Sequence, residues 1–279
     1  MLRKATQSKI FWILLVVLLF LGIMSVRYVT GERLKTAPQQ NKEMKTIGIV
    51  GGVSWVSSLE YYRLMNELVQ SRLGDLHSAK ILMFSIEFNN FAKEERLAEK
   101  GNWAPLKNTM VDAAKRLQKG GADFIVIASN TMNSTVDLIQ NQVPLPIIHI
   151  AESVGSKAKE MKLKKLALLG TKFTMEQPFY KDHLKQKYNL DVAIPSLEER
   201  EYINAAIFDE LCKGIITKNS KNKFLAIIER LRADEHVDGV LLGCTEIPLL
   251  IKQQDIDLPV LDSTALHAEA AVTYALQEL

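Results

Sequence analysis

Lys45-Thr-Ile-Gly-Ile-Val-Gly51 and Lys164-Lys-Leu-Ala-Leu-Leu-Gly170 are two versions of one segment, 119 positions apart. Two more pairs follow in the same order. Ala122-Asp-Phe-Ile-Val-Ile-Ala-Ser129 matches Val237-Asp-Gly-Val-Leu-Leu-Gly-Cys244 at an offset of 115, and Leu145-Pro-Ile-Ile-His149 matches Leu258-Pro-Val-Leu-Asp262 at 113. Collinear matches at nearly constant offset mark an internal duplication, with each copy about 110 residues long, a usual domain size. The duplication predicts two similar lobes whose equivalent strand ends face each other across a cleft. The loops after Ala128 and after Gly243 are then pseudo-symmetric mates.

The repeated segments are short, apolar and rich in β-branched residues, as in parallel sheets covered on both faces. The same pattern predicts strands at Thr46–Val50, Lys80–Ile86, Phe124–Ala128, Ile147–His149, Lys165–Leu169, Asp191–Ile194, Gly239–Leu242 and Val260–Leu261. Amphipathic stretches between them predict helices, among them Ser57–Ser71, Trp103–Lys119, Gln177–Lys187, Glu199–Lys213 and Asn222–Arg232. Strand–helix alternation implies right-handed βαβ units. The expected fold class is α/β, with two doubly wound, Rossmann-like parallel-sheet lobes and the active site between them. The expected division is a tether at 1–43, a first lobe at 44–150 completed by 262–279, and a second lobe at 151–261.

The chain has 279 residues, 47% of them hydrophobic and 24% charged, with two cysteines. Disorder and a disulfide scaffold are excluded. The net charge of +3 is uneven along the chain. Residues 1–43 hold seven bases and two acids; removing them from the chain's 35 and 32 leaves 28 bases and 30 acids, a net of −2. The duplicated part is therefore not basic, which removes the electrostatic support for a nucleic-acid partner. Ile10 to Val26 is free of charged residues, and Arg3, Lys4 and Lys9 precede it. As a helix this run spans roughly 25 Å, the short end of what a bilayer needs. With no small-x-small cleavage site before Arg27, it reads as an uncleaved signal anchor that holds an extracytoplasmic domain on a membrane. The rival reading starts translation at Met44 and leaves the protein cytoplasmic.

The mated loops carry the chemistry. Ala128-Ser-Asn-Thr-Met-Asn133 and Gly243-Cys-Thr-Glu-Ile-Pro248 each follow a buried strand. Each presents a hydroxyl or thiol first and hydrogen-bonding side chains next, where ligands sit in open α/β sheets. Helix starts after them would offer free N–H groups to a carboxylate and lower the Cys244 thiol's pKa. The plainer alternatives are an N-cap for Ser129 and a buried, inert thiol for Cys244. The turn Gly48-Ile-Val-Gly-Gly-Val-Ser54 is neither a dinucleotide fingerprint nor a Walker A loop, and suits a small anion. Ser54 and Ser57 are its polar candidates, with helix N-capping as their plainer reading. Arg96 offers a bidentate clamp for a carboxylate, and a solvated arginine in a charged helical stretch is the plainer alternative. Cys212, in a helical pattern, reads as core, with no disulfide to Cys244. The five histidines lack metal spacing, and no Gly-x-Ser-x-Gly elbow is present.

Ile47-Gly-Ile-Val-Gly-Gly-Val-Ser-Trp55 with Glu60-Tyr-Tyr-Arg63, Ser129-Asn-Thr-Met132 and Gly243-Cys-Thr-Glu-Ile-Pro248 resemble the aspartate/glutamate racemase family over residues 44–279. The resemblance is to its L-aspartate/glutamate-type subgroup. It implies amino-acid racemisation without pyridoxal phosphate, other organic cofactor or metal. One acid–base residue from each lobe would face the substrate α-carbon, Cys244 on one side and Ser129 on the other. Ser129 stands where the common pattern has a first cysteine, although some members of the subgroup carry a hydroxyl there. A hydroxyl is the poorer base, so the two directions of proton transfer should be asymmetric. By the same mapping Ser54, Asn130, Thr131, Thr245 and Glu246 line the substrate, and Arg96 meets its side-chain carboxylate. Asn133 replaces a frequent His, and Glu201, beside Arg200, falls where some relatives have Lys. The family also implies a homodimer. Two other functions fit the residues: a one-cysteine decarboxylase or isomerase, and an amino-acid-binding protein that has lost catalysis.

Overall fold

The computed structural model describes residues 43–277. The apolar run 10–26 and the rest of the tether lie outside the described residues. Within them, no helix is long and apolar enough to cross a membrane. The elements in chain order are β1 (Ile47–Gly51), α1 (Trp55–Leu73), β2 (Ile81–Ser85), α2 (Phe88–Glu99), α3 (Ala104–Gly120), β3 (Phe124–Ile127), α4 (Val136–Gln140) and β4 (Ile147–Ile148). Then come α5 (Ile150–Glu160), β5 (Lys165–Gly170), α6 (Lys172–Glu176), α7 (Pro178–Tyr188), β6 (Asp191–Ala193), α8 (Leu197–Asp209), α9 (Lys218–Glu235), β7 (Gly239–Gly243), α10 (Ile247–Leu250), β8 (Val260–Asp262) and α11 (Ser263–Leu276).

The strands form two separate four-stranded sheets, ordered β2-β1-β3-β4 and β6-β5-β7-β8, with all pairs parallel. The duplication thus appears as the same strand order twice. Central strands β1, β3 and β7 are buried at every position, because helices cover both faces of a parallel sheet. Strand order reverses between β1 and β3 in one lobe and between β5 and β7 in the other. Loops leaving these points diverge and open a crevice at the carboxyl ends.

Two helices cross between the repeats. α5 buries Ile150, Ala151 and Val154 in the core of the second sheet. α11 returns to the first, where Ala268, Ala271, Val272 and Ala275 pack with Ile47, Tyr61 and Met65. His267 on α11 fixes that return: its Nε2 donates to the Ile148 carbonyl (2.8 Å), leaving Nδ1 to accept from the Tyr61 hydroxyl (2.7 Å).

The observed strand bounds differ by a residue or two from the sequence reading. One helix differs in a way that matters. The pattern Glu199–Lys213 predicts a continuous helix, but α8 ends at Asp209 and a separate 3-10 turn holds Leu211–Lys213. Glu210 departs from helical geometry, and its carboxylate accepts from Thr217 and Ser220 instead. That break swings the segment carrying Cys212 toward the cleft.

Candidate active site

The first lobe contributes the ends of β1 and β3. Gly52 has φ +87°, and a Cβ there would lie 2.1 Å from the Ile86 carbonyl oxygen, so only glycine makes this turn. The turn delivers Ser54 as N-cap of α1. Ser57 donates to the Ala128 carbonyl (2.7 Å), tying the start of α1 to the end of β3. Ser129 follows, nearly buried, and its Oγ accepts the Met132 amide at 3.3 Å. Ser129 is therefore a local cap, and it also lines the cleft.

The second lobe contributes the ends of β5 and β7. A Cβ on Gly170 would lie 2.8 Å from the Gly243 carbonyl oxygen. This close backbone approach sets Thr171 and Cys244 on adjacent loops. A cavity of about 50 Å³ lies between the lobes. Ser54, Ser129, Asn130 and Thr131 line it from one side, and Thr171, Cys244, Thr245 and Glu246 from the other.

Glu246 organises this cavity. Its Oε2 accepts from the Cys244 thiol (2.9 Å) and the Thr245 hydroxyl (2.7 Å), and its Oε1 accepts from the Ser54 hydroxyl of the opposite lobe (3.1 Å). Three donors converge on two oxygens, as suits a carboxylate, which only accepts. The expectation of a lowered Cys244 pKa is corrected here. Burial first, then the negative charge of Glu246 and its hydrogen bond, push the thiol well above its ordinary value. The backbone amide of Glu246 pulls the other way and loses. The helix after the thiol, α10, has only four residues, so it supplies little of the expected dipole. These effects favour the neutral thiol at Cys244.

Asn130 has a defined role. The Ser263 hydroxyl spends its proton on the Leu242 carbonyl (2.7 Å), so its oxygen must accept from Asn130 Nδ2 (2.9 Å). This fixes the amide orientation and leaves Asn130 Oδ1 buried without a partner, an acceptor ready for an ammonium group. Thr131 bonds across the cleft to Thr174 (3.0 Å) and Thr171 (3.3 Å). Asn133 is structural: Nδ2 donates to the Ser129 carbonyl (2.8 Å) and the Ile127 carbonyl (3.3 Å), and Oδ1 accepts from Ile150 N (3.0 Å). It anchors the Ser129 loop to the start of α5.

Three sequence expectations change. Arg96 is exposed on α2 and is not among the residues lining the cleft. Its neighbour Glu95 lines the cleft instead, because adjacent helical residues point about 100° apart. Glu201 is exposed and pairs with Lys172 (3.4 Å). Arg200 is spent on Glu176 (3.0 Å) and the Pro195 carbonyl (2.6 Å). The reading of Cys212 changes in part: it packs half-buried against the core of the second lobe, as expected, but it also lines the cavity, and burial, with Glu246 and Glu95 adding to it, raises its thiol to about 12. Thr171, Phe88 and Phe208 also line the cavity and are absent from the sequence reading. Thr171 carried a usable signal, since the repeat aligns it with Gly52 in the turn after β1. Cys212 carried none, because the helix break needs Ser220, a residue eight positions on.

The Asp/Glu/hydantoin racemase family model matches residues 50–271. The chain belongs to that family. A candidate Asp/Glu racemase structure from Yersinia pestis shares 42% identity, covers 84% of this chain and all of its own, and superposes with a TM-score of 0.77. An aspartate racemase homologue from Pyrococcus horikoshii OT3 shares 36%, over 83% of this chain and 99% of its own, at a TM-score of 0.73. The broad specificity amino-acid racemase RacX of Bacillus subtilis (strain 168) is 26% identical over 170 residues, 60% of this chain and 71% of RacX. Against the curated glutamate racemases that it matches, the chain spans little more than half their length. As a racemase-family protein, this chain keeps the two-lobe fold.

Proposed function

We propose that this racemase-family protein inverts the α-carbon of amino acids, aspartate and glutamate among them, by proton abstraction on one face and return on the other. One observation carries this reading: Ser129 and Cys244, at matching positions of the two repeats, line one cavity from opposite lobes. A proton acid as weak as an amino-acid Cα–H needs a desolvated base and donors aimed at the α-carboxylate. The Thr131 hydroxyl lines the cavity and can turn to the carboxylate, whereas those of Thr245 and Thr171 already donate to Glu246 and Thr174; Asn130 Oδ1 receives the α-ammonium.

Because Cys244 rests as a thiol, it acts directly as an acid. To act as a base it first passes its proton to Glu246 Oε2, 2.9 Å away; the thiolate then takes the α-proton. The opposite face receives a proton from the Ser129 hydroxyl; a water proton recharges Ser129, and the proton held by Glu246 returns to solvent, which closes the cycle. Ser129 has no carboxylate or imidazole hydrogen-bonded to it among the described residues, so its half-reaction is the slower one.

The experiment is α-proton exchange in D₂O with L- and D-aspartate and L- and D-glutamate, followed by NMR and chiral chromatography. Exchange with inversion, abolished in Cys244→Ala, is expected. Exchange that survives Cys244→Ala would sink the assignment, and its absence with all four would sink the function.

Two further readings rest on sequence and surface. Residues 10–26 tether the protein to a membrane, supported by their uncharged composition and basic flank; recovery of all full-length protein in the soluble fraction refutes this. Trp55, Leu59 and Tyr62 form an exposed apolar stripe on α1, which supports a homodimer. A monomer mass by light scattering at micromolar concentration refutes it.

A further inference from the structure

The cavity at Cys244 is small. At ~10–15 Å³ per water it holds about four water molecules, enough for the α-ammonium, α-carboxylate and Cα of a substrate but not for a side chain. Beyond it lies a second space of about 640 Å³, with walls from both lobes. The two share Glu95, Thr131, Thr171 and Phe208, which form the neck between them. The larger space is within the range of small-molecule sites.

Its walls are about equally apolar and polar. Ala98, Trp103, Leu106 and Met132 come from the first lobe and Phe173 and Phe208 from the second. Trp103 and Phe173 meet across the lobes, 5.5 Å between ring centroids. Two of the charged groups on the wall are already matched: Lys172 pairs with Glu201 and Glu176 with Arg200. What this space offers a ligand is therefore an aromatic and aliphatic surface beside the polar side chains of Gln177, Asn204 and, at the neck, Glu95, continuous with the cavity where the α-carbon must sit.

We propose that this chamber is the side-chain subsite and that it admits amino acids with long aliphatic or aromatic side chains as well as the short dicarboxylates. The proposal rests on the racemase reading above. A carboxymethyl group occupies the neck and leaves the chamber to water. A methionine or phenylalanine side chain passes the neck and exchanges that water for the aromatic wall, which is favourable burial.

The test compares kcat/KM for α-deuterium exchange of L-aspartate, L-methionine and L-phenylalanine in the intact protein, in Gln177→Trp and in Phe208→Ala. Gln177 is exposed at the end of α6 and lines the chamber, so a tryptophan there fills the chamber without entering a core. Methionine and phenylalanine are expected to exchange at least as well as aspartate. Gln177→Trp should lower the methionine-to-aspartate ratio at least tenfold, and Phe208→Ala, which widens the neck, should raise it at least threefold. Exchange of aspartate without exchange of methionine or phenylalanine overturns the subsite and leaves the racemase reading intact. An unchanged ratio in both variants also overturns it. Exchange of no amino acid, aspartate included, overturns the racemase reading and this inference with it.

Discussion

Glu246→Gln separates the two effects of the carboxylate on Cys244. The side chain keeps its length and can still bond Ser54 and Thr245, but it loses its charge and its power to take a proton. In the native cleft a thiolate would lie 2.9 Å from a carboxylate oxygen. Two like charges at ~4 Å, the distance suited to delocalised charge, repel by about 4 kcal/mol at an effective dielectric of 20. Relaxation and the lost thiol hydrogen bond offset part of this, so about 2 kcal/mol is a reasonable net, or roughly 30-fold in thiolate population. The rate of Cys244 alkylation by iodoacetamide at pH 7.5 should rise by about that factor, with Cys244 distinguished from Cys212 by peptide mass spectrometry. Racemisation should move the other way. General acid–base partners contribute about 10²–10⁴-fold, so exchange in the direction where Cys244 is the base should fall at least 100-fold. A more reactive thiol in a slower enzyme is the signature of a proton acceptor. Unchanged or slower alkylation would refute the claim that Glu246 holds Cys244 protonated, and unimpaired exchange would refute its role as acceptor.

Other outcomes follow from the same geometry. Ser129→Cys places a thiol where a hydroxyl stands, so the slower half-reaction should accelerate at least tenfold while the equilibrium ratio of enantiomers stays near one; equal or slower exchange by both enantiomers counts against a Ser129 bottleneck. Asn133→Ala leaves the Ile150 amide and the Ser129 carbonyl without their buried partner. It should cost about 2–4 kcal/mol and lower Tm by roughly 5–15 °C at ~2–4 °C per kcal/mol, with a Tm within 2 °C of native as the refuting result. His267 and His149 are held neutral by burial, each at about 4 in the folded protein. The unfolded chain therefore binds protons first as pH falls, and stability should be complete above pH 7 and drain away between about pH 6.5 and 4. Asp262, raised by its own burial, offsets part of the loss, and chemical denaturation midpoints that stay level from pH 7 to 4.5 would contradict the argument.

The amino-acid sequence by itself determined the duplication, the two parallel sheets and the mated loops. These depend on local apolar runs and on spacing, which a chain displays without being folded. Ser129 and Cys244 were legible for that reason, since each follows a buried strand at the same place in its repeat. Tertiary structure alone decided how these residues are used. Glu246 reads as one more polar residue until folding brings Ser54 of the other lobe to its second oxygen and seals the first against the Cys244 thiol. The thiol's protonation then follows from burial and a neighbouring charge, not from the helix start that the sequence suggests. Arg96 and Glu95 are indistinguishable as cleft candidates in a charged stretch, and the helix phase chose Glu95. Cys212 reached the cleft only because Glu210 left its helix to bond Thr217 and Ser220. Local pattern fixes which face a strand buries. Only the packing of one lobe against another fixes which charges are left facing the same few ångströms of space.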